Sequence, residues 1–444
     1  MKRTTRQGGL AVLILALVGL QISAVGGACA GSGRPNLEIR GTANCPLVPA
    51  AGGPVFLELW VRADAPGRPD RRPVNLSVVL DRSGSMGSEQ KIENARAAVR
   101  ALIDQLRRGD YFSLVIYDDE VDVLIRSARV TDKELLRRLV DEITPRGWTN
   151  LGGGLVEGIR QAERHAGEEF VNRVILLSDG LANRGITDPG SLGELTVRAS
   201  RRGISLTTIG MGWDFNEHLM VSLAEQGGGN YYFIESPRDL ASVFRREFDL
   251  LGDVVATSAV IELELDIDVR IRDIIGYSFQ REGSRCRIPI GDLVAGEERS
   301  IIVELELPAG KGARRLAAGT VSTPHAPGVS TFSASVTYAE DLARIEAERN
   351  LTVQARADVA VSTRQVEEAL AALEDGDEAE AHARLEAAEV ALEQSAAAAA
   401  PGAAGVLLKE QQEKLKEYKR SVNEEGGRAK KAIHYDNYRT QKKK

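Results

Sequence analysis

The sequence predicts an α/β fold: a doubly wound, mostly parallel sheet that is inserted in a β-sandwich domain and followed by an α-helical hairpin and a basic tail. Two observations predict this class. Between residues 73 and 252, near-continuous aliphatic runs alternate with amphipathic helical stretches, which is typical of buried parallel strands connected by helices. On both sides of this part, apolar and polar residues alternate with the period of two that half-buried strands show.

Length and composition restrict the function. A chain of 444 residues is long enough for two or three domains. The formal net charge of −7 and the small number of aromatic residues argue against a nucleic-acid partner. The three cysteines form no Cys-x-x-Cys pair, so we expect no structural zinc site.

Residues 1–30 have the pattern of a secretory signal peptide, because basic residues precede the apolar run Leu10–Ile22 and small residues follow it. The run is shorter than the ~20 residues that a membrane-spanning helix needs, and we expect no transmembrane helix in the mature chain. Gly26–Cys29 is similar to a bacterial lipoprotein box, in which Cys29 would carry a lipid and anchor the chain to a membrane. Ordinary signal-peptide cleavage is the alternative. Both predict an exported protein, either in the cell envelope or secreted.

Two β-rich segments, residues 33–72 and 253–340, flank the predicted parallel sheet. Val55–Arg62, Ile301–Leu307 and Thr331–Tyr338 alternate apolar and polar residues, and Gly and Pro turns separate the runs. We therefore expect the two segments to pair and form one discontinuous β-sandwich domain.

Each β-rich segment contains one cysteine. Cys45 lies in the first segment and Cys286 in the second. A disulfide between them would link the two halves of the sandwich and stabilise it. Two unpaired thiols are the alternative, because the sequence does not give the distance between the residues.

Residues 73–252 are predicted to form the α/β domain. Val74–Leu80 is an apolar run with the length of a buried strand, and Lys91–Arg107 carries an apolar stripe at helical spacing. Further strands are predicted at Tyr111–Tyr117, Val121–Ile125, Val174–Ser178, Ser205–Gly210 and Asn230–Ile234, with helices between them. This alternation predicts a mostly parallel sheet that is covered on both faces.

Three oxygen-bearing side chains, Asp81, Ser83 and Ser85, alternate directly after the strand Val74–Leu80. Ligands of α/β sheets bind at the carboxyl ends of strands, alternate residues of a near-extended turn point the same way, and Gly84 lets the backbone fold close to an ion. One carboxylate and two hydroxyls suit a hard cation, Mg²⁺, with Ca²⁺ or Mn²⁺ as alternatives. They leave the ion under-neutralised, so it can accept an outside carboxylate.

Two distant stretches add to this motif. Trp148–Gly152 opens a helix from a Gly-rich loop, and Val174–Gly180 is a second apolar strand that ends in an acid. The three stretches together resemble the von Willebrand factor A domain and its metal-ion-dependent adhesion site, over roughly Pro73–Gly252. The resemblance implies that Ser83, Ser85 and Thr149 bind the ion directly and that Asp81 and Asp179 act largely through water.

The whole chain resembles exported bacterial von Willebrand factor A proteins and, more distantly, the inter-alpha-trypsin inhibitor heavy chains. This resemblance implies a partner protein whose exposed Asp or Glu completes the coordination of the ion. The loops Met86–Gln90, Gly147–Gly154 and Gly180–Thr187 would contact the rest of the partner. Trp148 and Trp213 are candidate contacts, with core packing as the alternative, and Gly180 is a third candidate.

Two other functions stay open. The first is a structural envelope protein whose metal site only stabilises its domain. The second is metal-dependent hydrolysis, which is disfavoured because the site has no positioned base to activate water. Ser85 also fails the pattern of a nucleophile elbow, since Gly87 follows it but position 83 is a serine. We therefore predict a binding protein and not an enzyme.

Residues 341–396 are predicted to form a helical hairpin, because they are rich in Ala, Glu and Leu and contain the turn signal Glu374–Asp377. Residues 397–444 are predicted to form a low-complexity linker and a basic tail. From Lys409 onward the chain contains twelve Lys and Arg but only six acids. We expect a solvated tail there, with an arm for an anionic surface as the alternative.

Overall fold

The computed structural model describes residues 36–64, 71–324, 326–398, 402–425 and 429–442. The predicted signal peptide and Cys29 lie outside the described residues. Across the part of the chain that is described, no helix combines the length and apolar character needed to cross a membrane.

Strands and helices follow one another in an order that agrees with the predicted class. The strands are β1 (Asn36–Ala43), β2 (Leu47–Pro49), β3 (Gly53–Asp64), β4 (Val74–Asp81), β5 (Tyr111–Tyr117), β6 (Val121–Arg129), β7 (Val171–Ser178), β8 (Ile204–Met211), β9 (Gly228–Ile234), β10 (Val254–Leu265), β11 (Arg270–Ile274), β12 (Gln280–Glu282), β13 (Arg285–Val294), β14 (Glu298–Leu307), β15 (Ala313–Thr323) and β16 (Ala326–Ala339). The helices are α1 (Lys91–Gln105), α2 (Lys133–Asp141), α3 (Leu151–Glu163), α4 (Pro189–Arg201), α5 (Glu217–Gly227), α6 (Leu240–Asp253), α7 (Leu342–Ala347), α8 (Leu351–Glu374), α9 (Glu378–Ala398), α10 (Ala403–Glu425) and α11 (Ala429–Lys442).

A six-stranded sheet in the order β6-β5-β4-β7-β8-β9 forms the α/β unit. Its strands are parallel except β6, which runs antiparallel to β5. Every residue of the central strand β4 is buried, because α1 and α6 cover one face of the sheet and α3, α4 and α5 cover the other. The carboxyl ends of β4 and β7 lie side by side at one edge, where such sheets bind ligands. The predicted α/β class is confirmed.

The strands on either side of the α/β unit form two further sheets. One has the order β1-β3-β14-β11 and the other the order β12-β13-β10-β15-β16-β2. The two sheets share one hydrophobic core. β3 pairs with β14 from Gly53↔Leu307 to Arg62↔Glu298, so the chain leaves this pair of sheets before the α/β unit and returns to it afterwards.

The C-terminal region is more ordered than the sequence analysis predicted. α8, α9 and α10 pack around a common core, which the first half of α11 joins. A solvated basic tail is therefore wrong for residues 402–425 and 429–442. In α10, Leu408, Leu415, Tyr418 and Val422 recur at helical spacing and are buried, while most of the charged residues between them are exposed. The high charge of the segment concealed this apolar stripe.

The candidate disulfide is not formed, because Cys45 and Cys286 are both buried free thiols. The Cys45 thiol donates to the carbonyl oxygen of Ile345 at 3.2 Å and packs in a small cluster with Leu47. Cys286 lies in the core of the sandwich, where burial raises the pKa of its thiol to about 11. The two cysteines belong to different clusters, so the alternative of two unpaired thiols holds.

Candidate metal centre

The turn after β4 carries the first three candidate ligands. Asp81 Oδ1 accepts a hydrogen bond from the backbone N–H of Ser83 at 2.8 Å, and the hydroxyl oxygens of Ser83 and Ser85 are 3.0 Å apart. Met86 follows in a short 3-10 turn and is fully buried. Met86 therefore anchors the turn to the core, and the predicted partner contact at this residue is wrong.

Hydrogen bonds join the end of β7 to the end of β4. Ser85 Oγ donates to Asp179 Oδ1 at 2.7 Å, and Ser178 Oγ donates to Asp81 Oδ2 at 2.9 Å. Both carboxylates are fully buried. Residues that are far apart in the chain meet here because β4 and β7 are neighbouring parallel strands.

The loop before α3 brings Thr149 to the same place. The backbone N–H of Gly84 donates to the carbonyl oxygen of Gly147 at 3.1 Å, which ties this loop to the turn after β4. A methyl group placed on Gly180 would lie 3.6 Å from Thr149 Oγ1 and 3.8 Å from Ser85 Oγ. Both hydroxyls therefore line the same small space, and Gly180 forms its wall.

The structure thus brings together all five predicted site residues, and their chemistry fits a divalent cation. Two carboxylates and three hydroxyls offer only oxygen, which Mg²⁺, Ca²⁺ and Mn²⁺ prefer. Adjacent buried carboxylates are costly without balancing positive charge. Burial and, to a smaller extent, the negative charge of Asp179 raise the pKa of Asp81 to about 6. A cation at this place would remove that penalty.

Lys91 is a residue of the site that the sequence analysis missed. Its ammonium nitrogen lies 2.7 Å from Asp179 Oδ2, and its side chain is almost fully buried. Lys91 is the first residue of α1 and lies in helical phase with the buried residues Ala95 and Leu102. A lysine on the apolar stripe of a predicted helix was the signal that could have identified it.

Large apolar side chains are exposed near the site. Trp148 is 58% exposed and Trp213 is 39% exposed. Core packing is therefore wrong for Trp148, whereas Trp213 keeps a tilted contact with Phe233. Leu181 and Ile186, in the loop after β7, are also exposed. The carboxyl edge of the sheet therefore combines buried oxygens with an apolar rim.

Comparison with known proteins identifies the domain that carries the site. The sequence matches the von Willebrand factor type A domain over residues 75–246. This part of the chain is a von Willebrand factor type A domain. The five residues of the candidate metal centre all lie within this domain.

Two curated relatives extend the comparison. The chain is 28% identical over 270 residues to the uncharacterized protein sll0103 of Synechocystis sp., which covers 58% of this chain and 63% of that protein. It is 30% identical over 166 residues to inter-alpha-trypsin inhibitor heavy chain H3 of Mesocricetus auratus, which covers 35% of this chain and 18% of that protein. The chain thus spans less than two thirds of the length of either relative.

A solved structure shows that the likeness extends beyond the von Willebrand factor type A domain. The von Willebrand factor type A protein from Catenulispora acidiphila superposes with a TM-score of 0.71, at 19% sequence identity, over 87% of this chain and 90% of that chain. The match covers most of both chains, so the shared fold includes sheets and helices outside residues 75–246.

Proposed function

We propose that this chain is an exported protein that binds a partner protein through a divalent cation, Mg²⁺, held by its von Willebrand factor type A domain. The observation that supports this function best is the convergence of oxygen-bearing side chains from three separate stretches at one edge of the sheet. When bound, the cation would supply a positive charge with a free coordination position, which an exposed Asp or Glu of the partner can fill.

Each site residue has a distinct role in this proposal. The hydroxyls of Ser83, Ser85 and Thr149 would bind the cation directly. Asp81 and Asp179 would act through water, because both oxygens of each carboxylate already accept a hydrogen bond or an ion pair from groups of the protein. Buried carboxylates held in this way contribute negative charge without filling the coordination sphere of the ion.

The apolar rim would contact the partner around its acidic side chain. Trp148 offers a large exposed ring, and Trp213 exposes part of its ring. Tryptophan is enriched among the residues that contribute most to protein interfaces, because it buries a large area at a small entropic cost. Gly180 has no side chain, so the partner can approach the hydroxyl oxygens beside it.

Export is part of the proposal and rests on the pattern of residues 1–30. A basic start, a short apolar run and small residues are the features of a secretory signal peptide. A lipid on Cys29 would anchor the chain to a membrane in the cell envelope, and ordinary cleavage would release it as a secreted protein. Mass measurement of the mature amino terminus separates the two.

A structural role for the metal site is the second candidate. The hydrogen bonds among the three stretches already link β4, β7 and the loop before α3, and a cation would strengthen this link without any partner. We propose no catalytic role, because the amine next to the site, Lys91, is held in an ion pair with Asp179 and is not free to act as a base.

Partner capture tests the proposed function. The full chain, the Asp81→Asn variant and the matched control Asp104→Asn, which changes an exposed acid on α1, are used to capture proteins from an envelope extract with Mg²⁺ or with EDTA. We expect the wild type and Asp104→Asn to capture the same partner in Mg²⁺ only, and Asp81→Asn to capture none. Capture that is equal with Mg²⁺ and EDTA contradicts a metal-dependent interaction. Metal-dependent stability without capture supports the structural role.

A further inference from the structure

The ion pair between Lys91 and Asp179 is unusual because both partners are buried within the site. The Lys91 side chain is 6% exposed and the Asp179 side chain is fully buried. A methyl group placed on Gly212, in the loop after β8, would lie 3.6 Å from the Lys91 ammonium nitrogen. The ammonium is therefore enclosed between α1, the end of β7 and this loop, away from the screening of bulk water.

Lys91 changes the charge of the site at every stage of binding. Two buried carboxylates, Asp81 and Asp179, together with one ammonium leave a net charge of −1 before a cation binds. A divalent cation changes this to +1. Without the lysine charge the corresponding values would be −2 and zero. At short range and low dielectric, a difference of one unit charge alters binding strongly.

Lys91 also controls which oxygens of Asp179 are free. Its ammonium occupies Oδ2 and Ser85 occupies Oδ1. These contacts occupy one acceptor position on each Asp179 oxygen and thereby disfavour direct coordination of the cation by Asp179. A carboxylate from outside can then take a coordination position that Asp179 does not fill.

We propose that Lys91 sets the balance between the two ligands of the site: its charge weakens the binding of the cation alone and strengthens the binding of a carboxylate to the cation-loaded site. This inference rests on the proposed function, because it concerns the same site. The physical reason is that the ammonium repels the divalent cation and attracts the anionic ligand. The cation is then held tightly only when the partner is present.

Three variants of the full chain test the proposal. Lys91→Gln removes the charge and keeps a hydrogen-bond donor for Asp179. Lys91→Arg keeps the charge. Lys133→Gln is the matched control, because Lys133 is the first residue of α2 and its ammonium donates to the carbonyl oxygen of Asp104 on the exposed surface. Mg²⁺ affinity is measured by calorimetry in chloride and again in acetate at the same ionic strength, with acetate as the carboxylate probe.

We expect Lys91→Gln to bind Mg²⁺ on the order of tenfold more tightly than the wild type in chloride. Acetate should raise the Mg²⁺ affinity of the wild type, Lys91→Arg and Lys133→Gln, and raise that of Lys91→Gln several-fold less. In the absence of Mg²⁺, Lys91→Gln should melt at a lower temperature than the wild type, because the buried Asp179 loses its counter-charge. Mg²⁺ should restore most of this loss.

The sign of the change in Mg²⁺ affinity in Lys91→Gln distinguishes this proposal from a purely structural role of the lysine. Mg²⁺ affinity that falls or stays unchanged in Lys91→Gln overturns the inference and leaves the proposed function intact. A wild type that binds no Mg²⁺ overturns both. If Lys91→Gln does not fold, Lys91→Met, which keeps the length of the stem, provides the same comparison with the same expected signs.

Discussion

Asp81 carries a buried negative charge that has no counter-charge of its own. Its carboxylate is fully buried next to Asp179, and the ammonium of Lys91 balances only one of the two charges. An isosteric amide removes the charge of Asp81 and keeps a hydrogen-bond acceptor for Ser83. The residue can therefore be tested without opening a cavity.

We expect Asp81→Asn to abolish the stabilisation that Mg²⁺ gives to the wild type. Binding at 100 times the dissociation constant stabilises the native state by about 2.7 kcal/mol, which thermal or urea unfolding with and without Mg²⁺ detects. Without Mg²⁺ the variant should be at least as stable as the wild type, because it lacks an uncompensated buried charge. The exposed control Asp104→Asn should keep the full Mg²⁺ effect. Equal Mg²⁺ effects in Asp81→Asn and the wild type would show that the cation binds elsewhere.

Cys45 and Cys286 supply a second prediction at the scale of single residues. Both thiols are buried and form no disulfide, which limits the access of a reagent. Burial also raises the pKa of Cys286 to about 11, so few thiolates form at Cys286. We expect the native chain to react slowly with an alkylating reagent at both positions, and the denatured, unreduced chain to react fully at both. Peptide mass mapping checks this. A Cys45–Cys286 peptide that appears only without reductant would contradict the free thiols.

At the scale of elements, α11 joins the von Willebrand factor type A domain to the rest of the chain. The Lys431 ammonium donates to the carbonyl oxygen of Phe215, just before α5, at 2.6 Å. The Tyr438 hydroxyl accepts from the backbone N–H of Tyr231 on β9 at 3.3 Å. Asn437 donates to the carbonyl oxygen of Thr363 on α8 at 2.9 Å. Polar groups on several sides of the helix therefore fix its position.

His434 makes the docking of α11 sensitive to acid. Burial and the nearby His218 lower the pKa of His434 to about 4, with a further lowering by Lys431, whereas Glu217 and Glu374 act in the opposite direction. In the unfolded chain the pKa of a histidine is about 6.5. The unfolded state therefore binds a proton first as the pH falls. The contribution of the neutral His434 to the free energy of unfolding is therefore complete above pH 6.5 and is lost as the pH falls toward 4.

We expect the wild type to lose up to about 3 kcal/mol of stability between pH 7.5 and pH 4 from this histidine. His434→Asn should flatten the pH dependence of the free energy of unfolding in that window, measured by urea unfolding at several pH values. His382→Asn, on α9, is the control for the removal of a histidine elsewhere in the chain. Parallel profiles for the wild type and His434→Asn would show that this histidine does not titrate on unfolding.

At the scale of the whole molecule, a buried charge network connects the parallel sheet with the sandwich. Arg173 on β7 donates to Glu247 at 2.8 Å and to Asp292 on β13 at 2.6 Å. Asp292 also accepts from the Ser205 hydroxyl and from the backbone N–H of Ser258. Burial acts to raise the pKa of Glu247, but the charge of Arg173 and several hydrogen bonds hold it below its ordinary value. The network is therefore charged and largely enclosed, with Glu247 fully buried and Asp292 slightly exposed.

We expect Asp292→Asn to destabilise the chain by about 2–4 kcal/mol, because it leaves the buried Arg173 with one acid instead of two. The loss should weaken the coupling between the von Willebrand factor type A domain and the sandwich, so that calorimetric unfolding broadens or divides into two transitions. Asp266→Asn is the matched control in the sandwich, where the acid forms only partly exposed ion pairs and the cost should be about 1 kcal/mol or less. Equal and small effects of both variants would show that the network does not couple the two parts.

Local patterns in the sequence predicted a large share of the fold and of the candidate site. Two such patterns are the apolar run Val74–Leu80 and the alternation of Asp81, Ser83 and Ser85, which involve only residues close together in the chain. Strand period, helical stripe and turn composition depend on a few adjacent residues, and the carboxyl edge of a parallel sheet then follows from topology. The parallel sheet and the cluster Asp81, Ser83 and Ser85 were therefore predictable from local pattern, whereas the resemblance to the von Willebrand factor A domain was needed to add Thr149 and Asp179 to the site.

Tertiary structure decided which charged and polar groups are buried, and beside what. The position of Lys91 on an apolar helical stripe is visible in the sequence, but the acids that Lys91 and Arg173 meet are not. Each is enclosed with acids from distant segments. The helices of the basic C-terminal region also depend on tertiary structure, because their apolar stripes are buried only by packing against α8 and α9. Tertiary structure likewise places Cys45 and Cys286 in separate clusters. Burial of a charge depends on partners that the fold alone brings within reach, because its cost is offset only by a counter-charge a few ångströms away.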